Sequence, residues 1–231
     1  MDKEKLVVLT GAGISAESGI TTFRDSGGLW EGFDVMEVAS IEGWYQDPEK
    51  VLDFYNARRR HLKQAHPNEG HKALVALEEK YDVVIITQNV DDLHERAGSK
   101  RVIHLHGELT KARPENASQP IWDIGYRDIR LGDCDEKGSQ LRPHIVWFGE
   151  MVPMMEFAAL EVATCSKLLI IGTSLVVYPA AGLVDLVPEY APIYVVDPVV
   201  PEYRFPSNVQ FVHESAAKGT PKLVNELLDS A

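Results

Sequence analysis

The chain has 231 residues, 45% of them hydrophobic and 25% charged, and 35 acidic against 23 basic side chains leave a formal net charge of −12. This is the composition of an ordinary globular protein. A chain of this length buries roughly 70–75% of its unfolded surface, enough for one large core in one or two domains, so disorder, collagen and a disulfide miniprotein are excluded. The acidic balance argues against a stable nucleic-acid partner, which needs clustered Lys and Arg, and a small anion would need a local basic site.

Met1-Asp2-Lys3-Glu4-Lys5 leads into a short apolar run that has neither the length nor the small-residue cleavage site of a signal peptide. That run, 6–9, is the first of seven short β-branched stretches; the others are 83–86, 102–105, 145–148, 168–171, 193–196 and 209–212. Helical patterns fit 49–65, 71–80, 90–97, 154–163, 180–186 and 221–228. Strands alternating with helices predict an α/β fold, a Rossmann-like parallel sheet covered by helices, with ligands at the carboxyl ends of the strands. The nearly uncharged stretch 168–184 is broken by Gly172, Thr173, Ser174 and Pro179, which reads as a buried strand and turn rather than a membrane span. A cytoplasmic protein with no membrane partner is expected. Cys134 and Cys165, far apart and with no second pair, read as reduced thiols.

Two stretches break the alternation, 24–67 and 108–143, the latter rich in Gly, Asp, Arg and Pro. They read as insertions that build one smaller module over the ligand edge of the sheet. The larger Rossmann-like part is then 1–23, 68–107 and 144–231, within a single unit spanning 1–231.

The first strand runs into Gly11-Ala12-Gly13-Ile14-Ser15-Ala16, the form G-x-G-x-x-G/A before a short helix. Glycines there let a backbone approach a pyrophosphate; equally, they let a strand-to-helix turn pack closely. A dehydrogenase fingerprint would continue into a second strand ending in an acid that holds the ribose. This chain instead continues into a polar loop carrying Phe23-Arg24-Asp25, suited to closing over a dinucleotide with Arg24 near its phosphates and Phe23 against a ring.

The strand at 83–86 ends in Thr87-Gln88-Asn89-Val90-Asp91. Side-chain amides bind hydroxyls and carboxamides in both directions and a carboxylate accepts from an amide; alternatively, Asn89 or Asp91 only caps the next helix. Alternation puts His104 and His106 on one face, with His106 beside Gly107 at a strand end, a position for either a catalytic or a merely satisfied histidine. The strand before Gly149 is either core or an edge to which an extended peptide can add. Gly172-Thr173-Ser174 offers a further turn with backbone N–H groups and two hydroxyls.

Taken together, Gly11-Ala12-Gly13-Ile14-Ser15, Phe23-Arg24-Asp25, Gln88-Asn89-Val90-Asp91, His106-Gly107, Trp147-Phe148-Gly149-Glu150 and Gly172-Thr173-Ser174 resemble, in order and over nearly the whole chain, the sirtuins, NAD-dependent protein-lysine deacylases. The resemblance implies NAD contacts at Gly11, Ala12, Gly13, Ala16, Phe23, Arg24, Gln88, Asn89, Asp91, Gly172, Thr173, Ser174, Asp197 and Ala216. It implies catalysis by His106 and Asn89, and acyl-lysine protein or peptide contacts at Val146, Phe148 and Gly149.

Phe54-Tyr55-Asn56-Ala57-Arg58 resembles the bacterial class III subgroup, which removes acidic acyl chains, with Tyr55 and Arg58 in its Y-x-x-R positions. Spacing i, i+3 puts both on one helical face, where a phenol and a guanidinium suit a succinyl or malonyl carboxylate; by pattern alone the Arg cluster is a solvated face.

Two departures stand out. The family usually carries two Cys pairs around a structural zinc in the small module, whereas 108–143 holds Cys134 alone, so a four-cysteine site cannot form. A module without metal is expected, packed around Trp122, Ile124, Tyr126, Ile129 and Leu131. Asp197 stands where the family usually has Asn; it accepts from ribose hydroxyls but cannot donate.

By resemblance, the acyl-lysine amide oxygen attacks C1′ of NAD, Asn89 and Asp91 hold ribose and carboxamide, Gln88 supports the ribose, Phe23 screens departing nicotinamide, and His106 activates a ribose hydroxyl. Lysine, nicotinamide and 2′-O-acyl-ADP-ribose leave. Mono-ADP-ribosyl transfer begins with the same electrophile, and an NAD-sensing module would lack the chemistry; a pure sensor has no use for a general base.

Overall fold

The computed structural model describes residues 3–21, 29–30 and 32–230, with 29–30 described by backbone alone. β1 (Lys5–Thr10) enters a one-turn helix, α1 (Gly13–Ala16). After a two-stranded ribbon, β2 (Leu29–Trp30) and β3 (Phe33–Asp34), come three helices: α2 (Val35–Val38), α3 (Ile41–Gln46) and α4 (Pro48–Gln64). Side chains start them. Ser40 accepts from the Gly43 N–H at 3.0 Å, and Asp47 accepts from Lys50 at 3.0 Å with Pro48 next to it, satisfying donors that have no partner inside a helix.

The chain then alternates through α5 (Glu69–Ala76), β4 (Asp82–Thr87), α6 (Leu93–Ala97) and β5 (Val102–His104). An antiparallel sheet comes next, made of β6 (Gly107–Pro114), β7 (Trp122–Asp123) and β8 (Leu141–Ile145). The remainder is α7 (Met155–Ala163), β9 (Lys167–Ile171), a 3-10 helix at Ala180–Leu186, β10 (Ile193–Val196), β11 (Val209–Val212) and α8 (Ala216–Asp229).

The main sheet is parallel, in the order β11-β10-β9-β1-β4-β5. Its strands are apolar on both faces because helices cover both. Val7 and Leu9 meet one core cluster with Ala158 and Val162 of α7, while Leu6 and Val8 meet another with Leu74 of α5 and Leu223 and Leu227 of α8. β1 is where the winding reverses, and its neighbours end level with it: Thr10 pairs with Thr87 and with Ile171, Ile171 with Val196, and Thr87 with His104. Five loops therefore leave the sheet side by side at its carboxyl edge.

A third cluster joins Val51, Leu52, Phe54, Tyr55 and Leu62 of α4 to Leu109, Ala112, Ile124, Ile129, Ile145 and Trp147, so both insertions contribute to one core. Polar clamps reinforce it. Asn56 donates to the Ile129 carbonyl at 2.8 Å and accepts from its N–H at 2.9 Å; buried Arg59 donates to Asn56 and, at 3.0 Å, to the Arg127 carbonyl. Burial pushes the Arg59 pKa down to about 10, which leaves it charged at neutral pH.

Several expectations are corrected. Residues 145–148 are not a strand of the parallel sheet. Leu141–Ile145 pairs antiparallel with β6, and 146–148 leaves it to meet Ser40 through Phe148, because the Phe148 N–H finds the Ala39 carbonyl at 2.9 Å. The helix expected at 90–97 begins at Leu93, since 88–92 is held by its own side chains, Asp91 accepting from the Leu93 N–H at 3.1 Å. Helix α8 starts at Ala216, five residues before Pro221, because Glu17 accepts from Ala217 N–H at 2.7 Å and from the Ser215 hydroxyl at 2.9 Å. Residues 180–186 wind as a 3-10 helix rather than an α-helix. Leu131 is 50% exposed and outside the core, whereas Ile124 and Ile129 are buried and Trp122 and Tyr126 pack against them. Among the described residues no helix is long and apolar enough to cross a membrane.

Candidate active site

The loops at the carboxyl edge of the sheet, together with Ala39, residues of α4 and Leu109, line a cavity of about 580 Å³. Every site residue expected from the sequence that falls among the described residues lines it. The β1 and β9 loops give Gly11, Ala12, Gly13, Ala16, Gly172, Thr173 and Ser174; the β4 loop gives Gln88, Asn89 and Asp91; Asp197 and Ala216 lie after β10 and β11. His106 lies beyond β5, Tyr55 and Arg58 come from α4, and Val146, Phe148 and Gly149 from the segment after β8. Phe23 and Arg24 lie outside the described residues.

The two glycine turns hold each other. Gly11 N–H donates to the Ile171 carbonyl at 3.1 Å and Gly13 N–H to the Gly172 carbonyl at 2.8 Å. A Cβ on Gly11 would stand 2.7 Å from that of Thr173, and one on Gly13 2.6 Å from the Gly172 Cα. Gly172 itself has φ +61°, in the left-handed region where glycine is favoured. Close packing of one loop on the other thus requires the glycines, and it leaves both backbones bare toward the cavity. Gln88 ties in the third loop, its N–H donating to the Thr10 carbonyl at 3.0 Å and its Nε2 to Thr173 Oγ1 at 3.0 Å.

His106 and His104 are both fixed by the β4 loop, but their pKa values are shifted in opposite directions. His106 Nδ1 is 2.9 Å from the Gln88 carbonyl, which can only accept, so Nδ1 carries the hydrogen and Nε2 is left as a base. Burial holds its pKa below the usual histidine value, against the pull of that carbonyl. His104 meets the Asn89 carbonyl at 3.2 Å and Glu95 at 2.7 Å. Burial opposes its charge, but the hydrogen bond and charge of Glu95 outweigh this and raise its pKa.

Beneath Asn89 and Asp91 runs a buried polar chain that periodicity did not reveal. Ser15 Oγ donates to Asp91 Oδ2 at 2.9 Å and accepts from Asn89 Nδ2 at 3.1 Å. His71 Nε2 lies 3.5 Å from the same oxygen, and the His71 ring meets the edge of His94 at a centroid distance of 5.0 Å. His94 Nε2 is 3.1 Å from Thr10 Oγ1, which donates to Thr87 Oγ1 at 2.9 Å. Burial raises the Asp91 pKa, lowers that of His71 to about 4 and holds that of His94 well below the usual value, so both imidazoles are neutral. The only sequence signal was Ser15, inside the glycine motif; His71 reads as one more residue of a helix.

The lining suits a dinucleotide. The N–H groups of Gly11, Gly13 and Gly172 are already given to carbonyls, so these glycines contribute room for close approach, while the Thr173 and Ser174 hydroxyls can donate to phosphate oxygens and Asp197, 5% exposed, supplies a carboxylate acceptor for sugar hydroxyls. Among the described residues no group of three or more His, Cys, Asp or Glu is arranged to hold a metal ion, and Cys134 and Cys165 are unpaired.

A parallel sheet whose winding reverses beside a loop-lined crevice defines a Rossmann-like α/β protein, the class that takes ligands at such a switch point. The SIR2 model, of the Sir2 family, matches residues 11–179, and the chain belongs to that family. A Helicobacter pylori (strain J99) protein named NAD-dependent protein deacylase is 54% identical over 230 residues, covering 99% of this chain and 97% of its own. A Bacteroides thetaiotaomicron protein of the same name is 47% identical, covering 97% and 98%. Among solved structures, a Sir2 homologue in complex with NAD superposes with a TM-score of 0.88 at 39% identity, covering 98% of this chain and 90% of that one. A Sir2 protein bound to a propionylated peptide gives a TM-score of 0.80 at 30% identity, covering 99% and 95%.

Proposed function

We propose that this chain is an NAD-dependent protein-lysine deacylase that transfers acetyl, succinyl and malonyl groups from lysine to ADP-ribose, favouring chains that end in a carboxylate. Family membership and the names of its relatives support the reaction class. The observation that carries the assignment to residues is that one cavity joins the glycine cradle, the His106 base and the Tyr55–Arg58 face of α4.

Bound NAD supplies a glycosidic bond whose cleavage releases nicotinamide and leaves an electrophilic carbon at C1′. Gly11, Ala12, Gly13, Gly172, Thr173 and Ser174 cradle the phosphates, with Ala16, Asp197 and Ala216 around the adenosine end. Asn89 and Asp91 orient ribose and carboxamide. Ser15 already satisfies one Asn89 N–H and one Asp91 oxygen, which fixes both side chains before any ligand arrives. Gln88 supports the ribose, and Phe23 and Arg24 belong to the same cofactor site. His106 takes a proton from a ribose hydroxyl at Nε2, Nδ1 being committed to Gln88. Val146, Phe148 and Gly149 guide an extended acyl-lysine peptide, and Tyr55 with Arg58 meets the distal carboxylate.

In this reading 24–67 and 108–143 form the small module over the cofactor edge, the protein works in the cytoplasm, and nucleic acid is not a partner. The test is a side-by-side assay of acetyl- and succinyl-lysine peptides with NAD. Both peptides are consumed, His106→Ala stops turnover while NAD still binds, and Arg58→Met depresses desuccinylation far more than deacetylation. Retention of label from NAD on protein, or no consumption of either peptide while NAD binds, refutes the deacylase assignment; equal losses in Arg58→Met refute the carboxylate role.

A further inference from the structure

Trp147 lies against the acyl end of the cavity and is held on every side. The Arg142 guanidinium stacks 3.3 Å from the centre of its ring, and Trp44 packs with a ring separation of 5.5 Å. Glu150 accepts the Trp147 backbone N–H at 2.8 Å and binds Arg142 through both oxygens, at 2.8 and 3.0 Å, with Arg113 a further 3.0 Å contact. Trp147 and Arg142 are nearly solvent-free, 2% and 1% exposed. The cost of burying that ion pair is offset only where its geometry is fixed, and here the fixed object is the indole.

Thus anchored, Trp147 directs its Nε1 to the Tyr55 hydroxyl at 3.0 Å. An indole N–H only donates, so the Tyr55 oxygen must accept from it. The phenolic hydrogen then has no acceptor among the described residues, and Tyr55, 0% exposed, borders the cavity from beneath its surface. Burial pushes the phenol up to about 12, so it keeps that hydrogen at any physiological pH. A hydroxyl that is already accepting is also the stronger donor.

We propose that Trp147 is a specificity-determining positioning residue: its Nε1–H commits the Tyr55 hydroxyl to donate into the cavity, favouring acyl chains that end in an acceptor, a carboxylate above all, over those that end in a methyl. The inference rests on the assignment of Tyr55 and Arg58 to the acyl end. Trp147 need not touch the substrate; it acts through Tyr55.

The experiment measures kcat/KM for succinyl- and acetyl-lysine peptides with wild type, Trp147→Phe, Tyr55→Phe and the double variant. The hydrogen bond at stake ends on a charged acceptor, so Trp147→Phe loses about ten-fold more on succinyl than on acetyl peptide. In the Tyr55→Phe background the same change causes no further selective loss, because the hydroxyl it acts through is gone. Replacing Trp147 with benzothienylalanine, which exchanges the N–H for sulfur and keeps the ring, reproduces the selective loss and guards against a fold defect in the Phe variant. Equal losses on both peptides, or selective losses that simply add in the double variant, overturn the role of Trp147 alone. A wild type that turns over acetyl but not succinyl peptide overturns the acidic-acyl reading along with it.

Discussion

Acidification from pH 7 to pH 5 should destabilise the protein through His71. Its Nδ1 accepts the Asn68 N–H at 3.4 Å, closing a capping box at the start of α5, and its Nε2 reaches Ser15 under the cavity. No part of its ring is exposed, and burial lowers its pKa to about 4 against roughly 6.5 in the unfolded chain. A group whose pKa is depressed on folding contributes stability above the unfolded value, and that contribution is lost as pH falls through the window from 6.5 to 4. Linkage puts the loss between pH 7 and pH 5 at about 2 kcal/mol for one such site. His144, also lowered to about 4 by burial, acts in the same direction, whereas His104, raised by Glu95, acts in the opposite one. Urea unfolding of wild type and His71→Gln at pH 7, 6 and 5 isolates the term. The variant, lacking the titrating ring, should lose about 2 kcal/mol less across that range. Parallel pH dependences in the two proteins would refute a buried neutral imidazole at this position.

The pH profile of kcat/KM reports His106. Its neutral form is the base and burial holds its pKa low, so activity should stay level on descending from pH 8 and fall only below about 6.5. An acid limb centred above pH 7 would show that another group, or a charged His106, controls the step. For the small module, chelator treatment should leave the melting temperature unchanged and metal analysis should find no stoichiometric zinc, since Arg59 and Asn56 already fasten the 127–129 backbone; a drop on chelation would refute a module held by packing and hydrogen bonds.

The parallel sheet was legible because strands buried on both faces read as unbroken apolar runs, and the helices between them as a change of period. The same cue misled at Ile145-Val146-Trp147-Phe148: a β-branched run looks alike in a parallel core or beside an antiparallel one. What separates them is the partner, here β6 for Ile145 and the Ala39–Ile41 backbone for Phe148, and partners are not written in local sequence. Pro221 misled in the opposite sense, because the carboxylate that starts α8 belongs to Glu17, nearly 200 residues away. Gln88, Asn89 and His106, which line the cavity, stood out as polar residues at strand ends, although only the family resemblance favoured a site role over a cap or a satisfied histidine. His71 and His94 did not stand out, because a buried histidine and an exposed one occupy the same place in a helical pattern until burial is known.

The glycine motif admitted two readings, approach to phosphate or packing of the turn; the geometry shows the packing and is compatible with the approach. The Cβ atoms that Gly11 and Gly13 lack would strike the β9 loop, so the immediate requirement is packing; the consequence is that two backbones lie side by side, open to the cavity, before a ligand is present. A cradle formed in advance saves the entropy that binding would otherwise spend on ordering it. At the other end the Arg142–Glu150 pair does for Trp147, and through it for Tyr55, what loop-on-loop contact does for the glycines. Ser15 does so between them for Asn89 and Asp91. Each part of the cavity is thus held by contacts made without the substrate, so substitution at the glycines or at the Arg142–Glu150 pair should cost stability as well as ligand use.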